Sequence, residues 1–327
     1  MTGELVRVGA AFGALAAGAA AVIVVASLIL GLPAVNPTSG SATGTAGSAS
    51  SPAPATPTGS ARKVPGPPDG AIVLGGNAST DAVGLAVVPG RRVLFQVSVV
   101  DESGNGVDGL PVRIHVRGRG GQGANLRGRA CGSGCYRAFA DVLSPRGVSV
   151  SLGPLRTSFV LPEAWPPPFA TALVGRATHV YKSLHSFIIH DELGDGREAV
   201  RTVFRIVAPD RLSYVVEGGG SAIIIGDRRW DMAEGSKRWS ETPQAPITQP
   251  TPFWVDAIDA RILGTARVAG RAAWKVSFYD PVTPAWFTLL IDKANLRTLD
   301  MRMTAHSHFM HDTYGAFDAP LTISPPG

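Results

Sequence analysis

The sequence predicts three parts in order: an N-terminal transmembrane helix, an all-β sandwich, and an α+β half in which a curved antiparallel sheet wraps one or two helices. Three observations predict this. Residues 8–32 carry no charge. Between residues 82 and 161 short apolar runs alternate with polar residues at the period of two that marks half-buried strands. From residue 170 one helical stripe is followed by at least eight further strand-like runs.

The first part rests on "VGAAFGALAAGAAAVIVVASLILGL", Val8 to Leu32. About 20 apolar residues span a bilayer as a helix. A cleaved signal peptide has a shorter apolar core followed by a small-x-small site, so the length favours a retained anchor at residues 1–33 over a signal segment. Arg7 flanks one side and no charge follows until Arg62, which places the bulk of the chain outside the cytoplasm. The first cysteine is Cys131, which rules out an N-terminal lipid-modified cysteine. Residues 34–68 are almost wholly Pro, Ser, Thr, Ala and Gly, a composition expected to form an extended, disordered tether.

Residues 69–165 read as the sandwich. The runs are "AVGLAVV", "RVLFQVSVV", "PVRIHV", "CYRAFADV", "VSVSL" and "TSFVL". Phe95, Val97 and Val99 alternate with Gln96 and Ser98, and "DESGNG" supplies the residues of a tight reversal. The sequence "WPPPF", Trp165 to Phe169, ends the unit, because consecutive prolines continue neither a ladder nor a helix. The two cysteines, Cys131 and Cys135 in "CGSGCYRA", suit a disulfide in an oxidising exterior. The rival, half of a zinc site, finds no second cysteine pair.

Residues 169–327 change texture. In "ATALVGRATHVYKSLHSF" the apolar positions Leu173, Ala177, Val180, Tyr181 and Leu184 form one helical stripe. The strands expected next are "SFIIHDEL", "AVRTVFRIV", "RLSYVVE", "SAIIIG", "RRWDMA", "RILGTARV", "RAAWKVSFYD", "AWFTLLID" and "LRTLDMRMT".

The runs "VAPDRLSYVVEGGGSAIIIGDRRWDM" and "WKVSFYDPVTPAWFTLLIDKANLRTLDMRMTAHSHFM" resemble the extracytoplasmic lipoprotein-carrier, or LolA-like, superfamily over residues 169–326. The preceding "DAVGLAVVPGRRVLFQVSVVDESGNGVDGLPVRIHV" resembles YtkA-like and copper-resistance-associated immunoglobulin-like domains. The resemblance implies an immunoglobulin-like sandwich joined to an open half-barrel with lid helices, a non-enzymatic carrier of apolar or lipid-like ligands at the bacterial envelope. It also implies a neighbour, a multi-spanning membrane protein of the copper-resistance type. In the copper-resistance C and D families the preceding helix would close a multi-spanning bundle; here there is one spanning segment, so that bundle's function is not carried over. Trp230, Trp254, Trp274 and Trp286, with Trp239, all lie in the second half. They are ligand-lining candidates, and the competing reading is an ordinary core.

The stretch "MRMTAHSHFMHD", residues 301–312, concentrates soft ligands. In a strand over 296–304, Met301 and Met303 share a face with Leu299 and fill a core, while Arg302 and Thr304 take the other face. If the extended run continues, His306, His308 and Met310 share one face as a candidate Cu(I) site, and an extracytoplasmic copper-binding accessory protein is the alternative function. "GRGGQG", residues 118–123, matches G-x-G-x-x-G, but no helix can open in the glycine-rich run after it. His179 and His185 have no carboxylate spaced to form a base pair, and His190, Asp191 and Glu192 read as a solvated turn before "GDG". No nucleophile, base and orienting group assemble into an enzyme. The net charge of +5 comes from basic residues scattered along the chain, which argues against a nucleic-acid partner. A third function class, an envelope interaction module without a small ligand, remains if neither ligand is taken.

Overall fold

Alternation builds the first half. The computed structural model describes residues 63–121, 123–247 and 252–327; the anchor expected at residues 1–33 and most of the tether lie outside the described residues. Among the described residues no helix is long and apolar enough to cross a membrane. Nine strands follow in order: β1 (Ile72–Ala78), β2 (Asp81–Val88), β3 (Val93–Val100), β4 (Val112–Arg117), β5 (Gly123–Arg127), β6 (Arg129–Gly132), β7 (Cys135–Ala140), β8 (Gly147–Leu152) and β9 (Leu155–Val160). They form two antiparallel sheets, β1-β2-β3-β7-β6 and β5-β4-β8-β9. In β4 the side chains of Val112, Ile114 and Val116 are buried while Arg113, His115 and Arg117 are exposed. Phe95, Leu85, Ile114 and their neighbours fill the space between the sheets.

Three of these strands were not expected. β1 carries two glycines and an asparagine in "IVLGGNA", and β5 and β6 are short and polar, so none shows a clean alternation. Cys131 and Cys135 form a disulfide that staples β6 to β7. The "GRGGQG" run holds a short 3-10 turn at Arg119–Gly121 and leads into β5. The last tether residues lie against the sandwich, where the Gln96 side-chain amide donates to the Gly66 carbonyl at 3.0 Å.

The second half opens with helix α1 (Thr171–Lys182), whose buried face is Leu173, Val174, Ala177 and Tyr181. It is the one α-helix among the described residues. The stripe expected to run on to Leu184 stops at Lys182, and Leu184 packs from the following turn. Eleven strands then form one antiparallel sheet: β10 (Ser186–Gly194), β11 (Ala199–Val207), β12 (Arg211–Val216), β13 (Ser221–Ile225), β14 (Arg228–Met232), β15 (Ser240–Pro243), β16 (Ile258–Val268), β17 (Arg271–Asp280), β18 (Ala285–Asp292), β19 (Thr298–Ala305) and β20 (His308–Gly315). Their order is β15-β14-β13-β12-β11-β10-β20-β19-β18-β17-β16, so the sheet stays open, with β15 and β16 at its edges. Its inner face and α1 enclose one continuous apolar core.

The two halves are docked directly. On β18, Phe287 points inward, whereas Trp286 points outward and packs on Ala71, Val73, Ala82 and Ala86 of the sandwich. Gly84 makes room for it: a Cβ there would stand 2.1 Å from the indole. Gly75 is also tight, with a Cβ 2.7 Å from Trp286 and Thr304. Leu263 of β16 joins the sandwich core. Buried Arg261 donates to the carbonyls of Gly70, at 2.8 Å, and Pro167, at 3.3 Å, and stacks 3.5 Å from the Phe169 ring. The molecule is therefore three stacked layers: curved sheet, five-stranded sheet and four-stranded sheet.

Candidate functional site

The concave side of the eleven-stranded sheet is where a ligand would meet apolar surface. Strand register places one inward row across it: Val216, Thr202, Asp191, Asp312, Met301 and Leu289, each opposite the next. Neighbouring rows are aliphatic and aromatic, with Phe204, Ile189, Tyr214 and Tyr314 on one side and Met310, Met303 and Phe287 on the other.

Helix α1 lies over this face, and Trp254 fills the interior beside it. The Trp254 indole N–H donates to the Thr178 hydroxyl at 2.8 Å, and its ring meets Tyr181, Phe278 and Phe287 edge-on at 6.0, 6.4 and 6.2 Å. Residues 252–257, which carry it, have no regular structure and are held chiefly by a carboxylate. Asp280, fully buried at the end of β17, accepts from the amides of Val255 and Asp256 through Oδ2, at 2.5 and 3.0 Å. Through Oδ1 it accepts from the amides of Val282 and Thr283 at 2.8 and 3.1 Å. The Thr283 hydroxyl donates to the Phe253 carbonyl at 3.2 Å, tying the same segment to the β17–β18 turn.

Beneath α1 sits an acid pair. Asp191 and Asp312 face each other across β10 and β20 and are 4 % and 0 % exposed. The Tyr314 hydroxyl donates to Asp312 Oδ2 at 2.8 Å. Both Asp191 oxygens and Asp312 Oδ1 receive no hydrogen bond if the two groups are ionised. Two charges there would repel in an apolar interior; one shared proton removes the repulsion and supplies a donor. Both carboxyls are accordingly pushed above the ordinary carboxylate range. For Asp191 burial is the main cause, followed by the Asp312 charge. For Asp312 burial again dominates, while hydrogen bonds from Asp191 and Tyr314 pull the other way. Burial and the Asp312 charge also hold the Tyr181 hydroxyl protonated.

This corrects the sequence reading of His190, Asp191 and Glu192 as a solvated turn. β10 runs through them to Gly194, and Asp191 keeps the inward phase of Phe187 and Ile189. The missed signal was the period of two: Asp191 continues the Phe187–Ile189 phase, and Asp312 sits midway between Met310 and Tyr314. Thr178 and the Oδ2 half of Asp280 had no signal, because Trp254, Val255 and Asp256 are distant in sequence; the Oδ1 half closes the local turn to Val282 and Thr283.

Of the four tryptophans singled out, Trp254 stands in the interior and Trp274 is half-buried at its margin, with the Lys293 ammonium 3.8 Å from its ring. Trp230 is buried on β14 with the Arg228 guanidinium 4.6 Å from its ring. Trp286 is on the opposite face, against the sandwich. The extended run through 304–310 is not formed, because the chain reverses at His306–Ser307 between β19 and β20. Met310 then lies opposite Met303 within the core, and His306 sits in the turn beside Gly104. His308 is largely buried, which lowers its imidazole below the usual range, and its Nδ1 lies 3.0 Å from the His306 carbonyl. Among the described residues no three His, Cys, Asp or Glu side chains converge on a metal position. An open groove of about 490 Å³ lies on the outer face, lined by His190, Glu192, Arg201, Val215, Glu217 and His311. Its charges pair among themselves, Arg201 with Glu192 at 2.9 Å and with Glu217 at 3.8 Å.

No protein-family model and no curated protein matches the sequence. Among solved structures the chain is similar to LprF from Mycobacterium bovis, at 13 % identity over 48 % of this chain and 96 % of that one, with a TM-score of 0.37. It is similar to the lipoprotein LppX from Mycobacterium tuberculosis, at 13 % identity over 47 % of this chain and 98 % of that one, TM-score 0.35. A LolA superfamily protein from Nitrosomonas europaea matches at 10 % identity over 48 % of this chain and 96 % of that one, TM-score 0.23.

Proposed function

We propose that this is a non-enzymatic, extracytoplasmic binding protein that takes an apolar, lipid-like molecule between helix α1 and the concave sheet, in the space the Trp254 indole fills. The observation that carries the reading is the closure of a wide apolar interior by one short helix and one indole on an irregular segment. An indole is a large apolar body with a single polar handle, so rotating it outward exposes apolar walls at the cost of one hydrogen bond. The Cys131–Cys135 disulfide supports an oxidising compartment. The burial of the acid pair, which closes both carboxyls off from solvent in this structure, supports the non-enzymatic reading.

The test is titration of the delipidated chain with a fluorescent fatty acid. Wild type takes up the probe saturably. Trp254→Ala, in which the indole no longer competes for the space, binds roughly tenfold tighter, a difference of about 1.4 kcal/mol. Trp254→Phe keeps the core filled and serves as the folding control. No saturable uptake by any of the three ends the proposal.

A further inference from the structure

The outer face of the four-stranded sheet carries a chemistry the interior does not explain. Register sets its side chains in three rows across β5, β4, β8 and β9. The first row is Arg127, Arg113, Ser151 and Arg156. The second is Asn125, His115, Ser149 and Ser158, and in the third Arg117 lies between glycines with Val160 at the end. Arg113, Arg117, Arg127 and Arg156 are exposed. No acidic residue occurs on any of the four strands, and the only one between Gly109 and Val160 is Asp141, which pairs with Arg92 outside them at 3.4 Å. Among the described residues none of the four arginines takes part in an ion pair. The remaining side chains hydrogen-bond among themselves: His115 Nδ1 lies 2.7 Å from Asn125 Oδ1, Ser149 and Ser158 bond at 2.8 Å, and Arg156 reaches Ser151 at 3.4 Å.

The basic residues look scattered along the chain because they fall on alternate positions of different strands. Folding gathers them. Strands lie about 4.8 Å apart and residues rise about 3.3 Å along each, so four guanidinium groups share a patch on the order of 15 Å across. We propose that this face docks on a bilayer surface rich in anionic phospholipid, with the arginines engaging phosphate oxygens. Three observations select that partner. The face is the surface of a four-stranded sheet and carries no α-helix to enter a nucleic-acid groove. It carries no exposed Phe, Tyr or Trp ring for base stacking. Planar guanidinium forks match phosphate, and a plane of mobile headgroups tolerates any lateral register of the four. The layering fits as well: the sheet is the outermost of the three layers, so docking leaves the curved sheet on the far side from the membrane. The inference does not depend on the interior ligand, and an anchor at residues 8–32 would hold the face near such a surface without being required for it.

The test uses the full chain held in phosphatidylcholine nanodiscs, which occupy its apolar segment, mixed with liposomes and floated. Liposomes of phosphatidylcholine with about one-third phosphatidylglycerol carry the protein up, pure phosphatidylcholine liposomes do not, and 0.5 M salt, with a Debye length of roughly 4 Å, reverses the binding. Arg113→Glu with R127E and R156E lowers the apparent affinity by roughly 100-fold or more. Arg113→Gln with R127Q and R156Q, whose thermal midpoint is checked first, gives a smaller loss in the same direction. The control R176E, R205E and R238E, in the other half of the chain, retains flotation. Equal flotation with both liposomes, retained binding by the glutamate variant, or tighter binding to duplex DNA or an acidic polypeptide than to the anionic liposomes overturns the proposal.

Discussion

Asp191 and Asp312 make the interior sensitive to pH. An unfolded aspartate titrates near pH 4. In the folded protein burial raises both carboxyls, so above pH 4 the native state holds a proton that the unfolded state has lost. Stability is then greatest at or below that value and falls as pH climbs toward the raised range of the pair. Asp191→Asn supplies an amide donor to Asp312 and removes the need for the proton. Thermal midpoints taken from about pH 5 to about pH 9 should decline for wild type and flatten for the variant, and a flat wild-type profile would show that no proton is shared. Asp280 acts differently, as the acceptor for four backbone amides around Trp254. Asp280→Ala leaves those amides without their partner and should cost about 2–4 kcal/mol in denaturant unfolding while speeding fatty-acid probe uptake in stopped flow. Met310 is packed in the core beside Met303. Met310→Ala should therefore cost roughly 2–4 kcal/mol in the absence of any metal.

At the scale of elements, legibility followed alternation and turn chemistry. β11, β17 and β18 fall where "AVRTVFRIV", "RAAWKVSFYD" and "AWFTLLID" place them, because apolar runs bounded by Asp, Gly and Pro leave little freedom. β20 was hidden because its reversal uses His306 and Ser307, with Ser307 at φ 57°, where glycine or asparagine would have announced a hairpin. That one unmarked turn made the Met/His stretch look like a continuous ligand strip. β15 was missed because "SETP" is wholly exposed and has no apolar phase. The candidate site was less legible than the fold: the curved sheet and its helix were expected, but which tryptophan enters the interior depends on Thr178 and Asp280, and sequence spacing does not reveal such partners. The run "AWFTLLID" did hold one unused clue. Its lack of alternation is the mark of a strand buried on both faces, and the sandwich is what covers the second face.

For the whole molecule, the fit of Trp286 over Gly84 decides whether the two halves behave as one body. Gly84→Ala drives a methyl into the indole, with no flexible chain end to give way, and should lower stability by several kcal/mol, on the order of 2–4. In the double variant with Trp286→Ala the clash is gone, so the two changes should cost less together than their sum, read as a coupling in a double-mutant cycle. Strict additivity would show that the halves are not docked as described. The open sheet has a further consequence. A sheet that does not close offers two unpaired backbone edges, each a template for another chain to join. Here the start of the β16 edge is taken up by the chain itself, as the Ala170 amide donates to Ala260 and the Ile262 amide to Pro168, at 2.7 and 2.9 Å. The opposite edge is only four residues long and carries Glu241 and Pro243 in exposed positions. Polymerisation by strand addition is thus discouraged at both ends, by the junction between the halves at one and by proline and charge at the other, so loosening that junction would expose the protein to aggregation before it exposed it to unfolding.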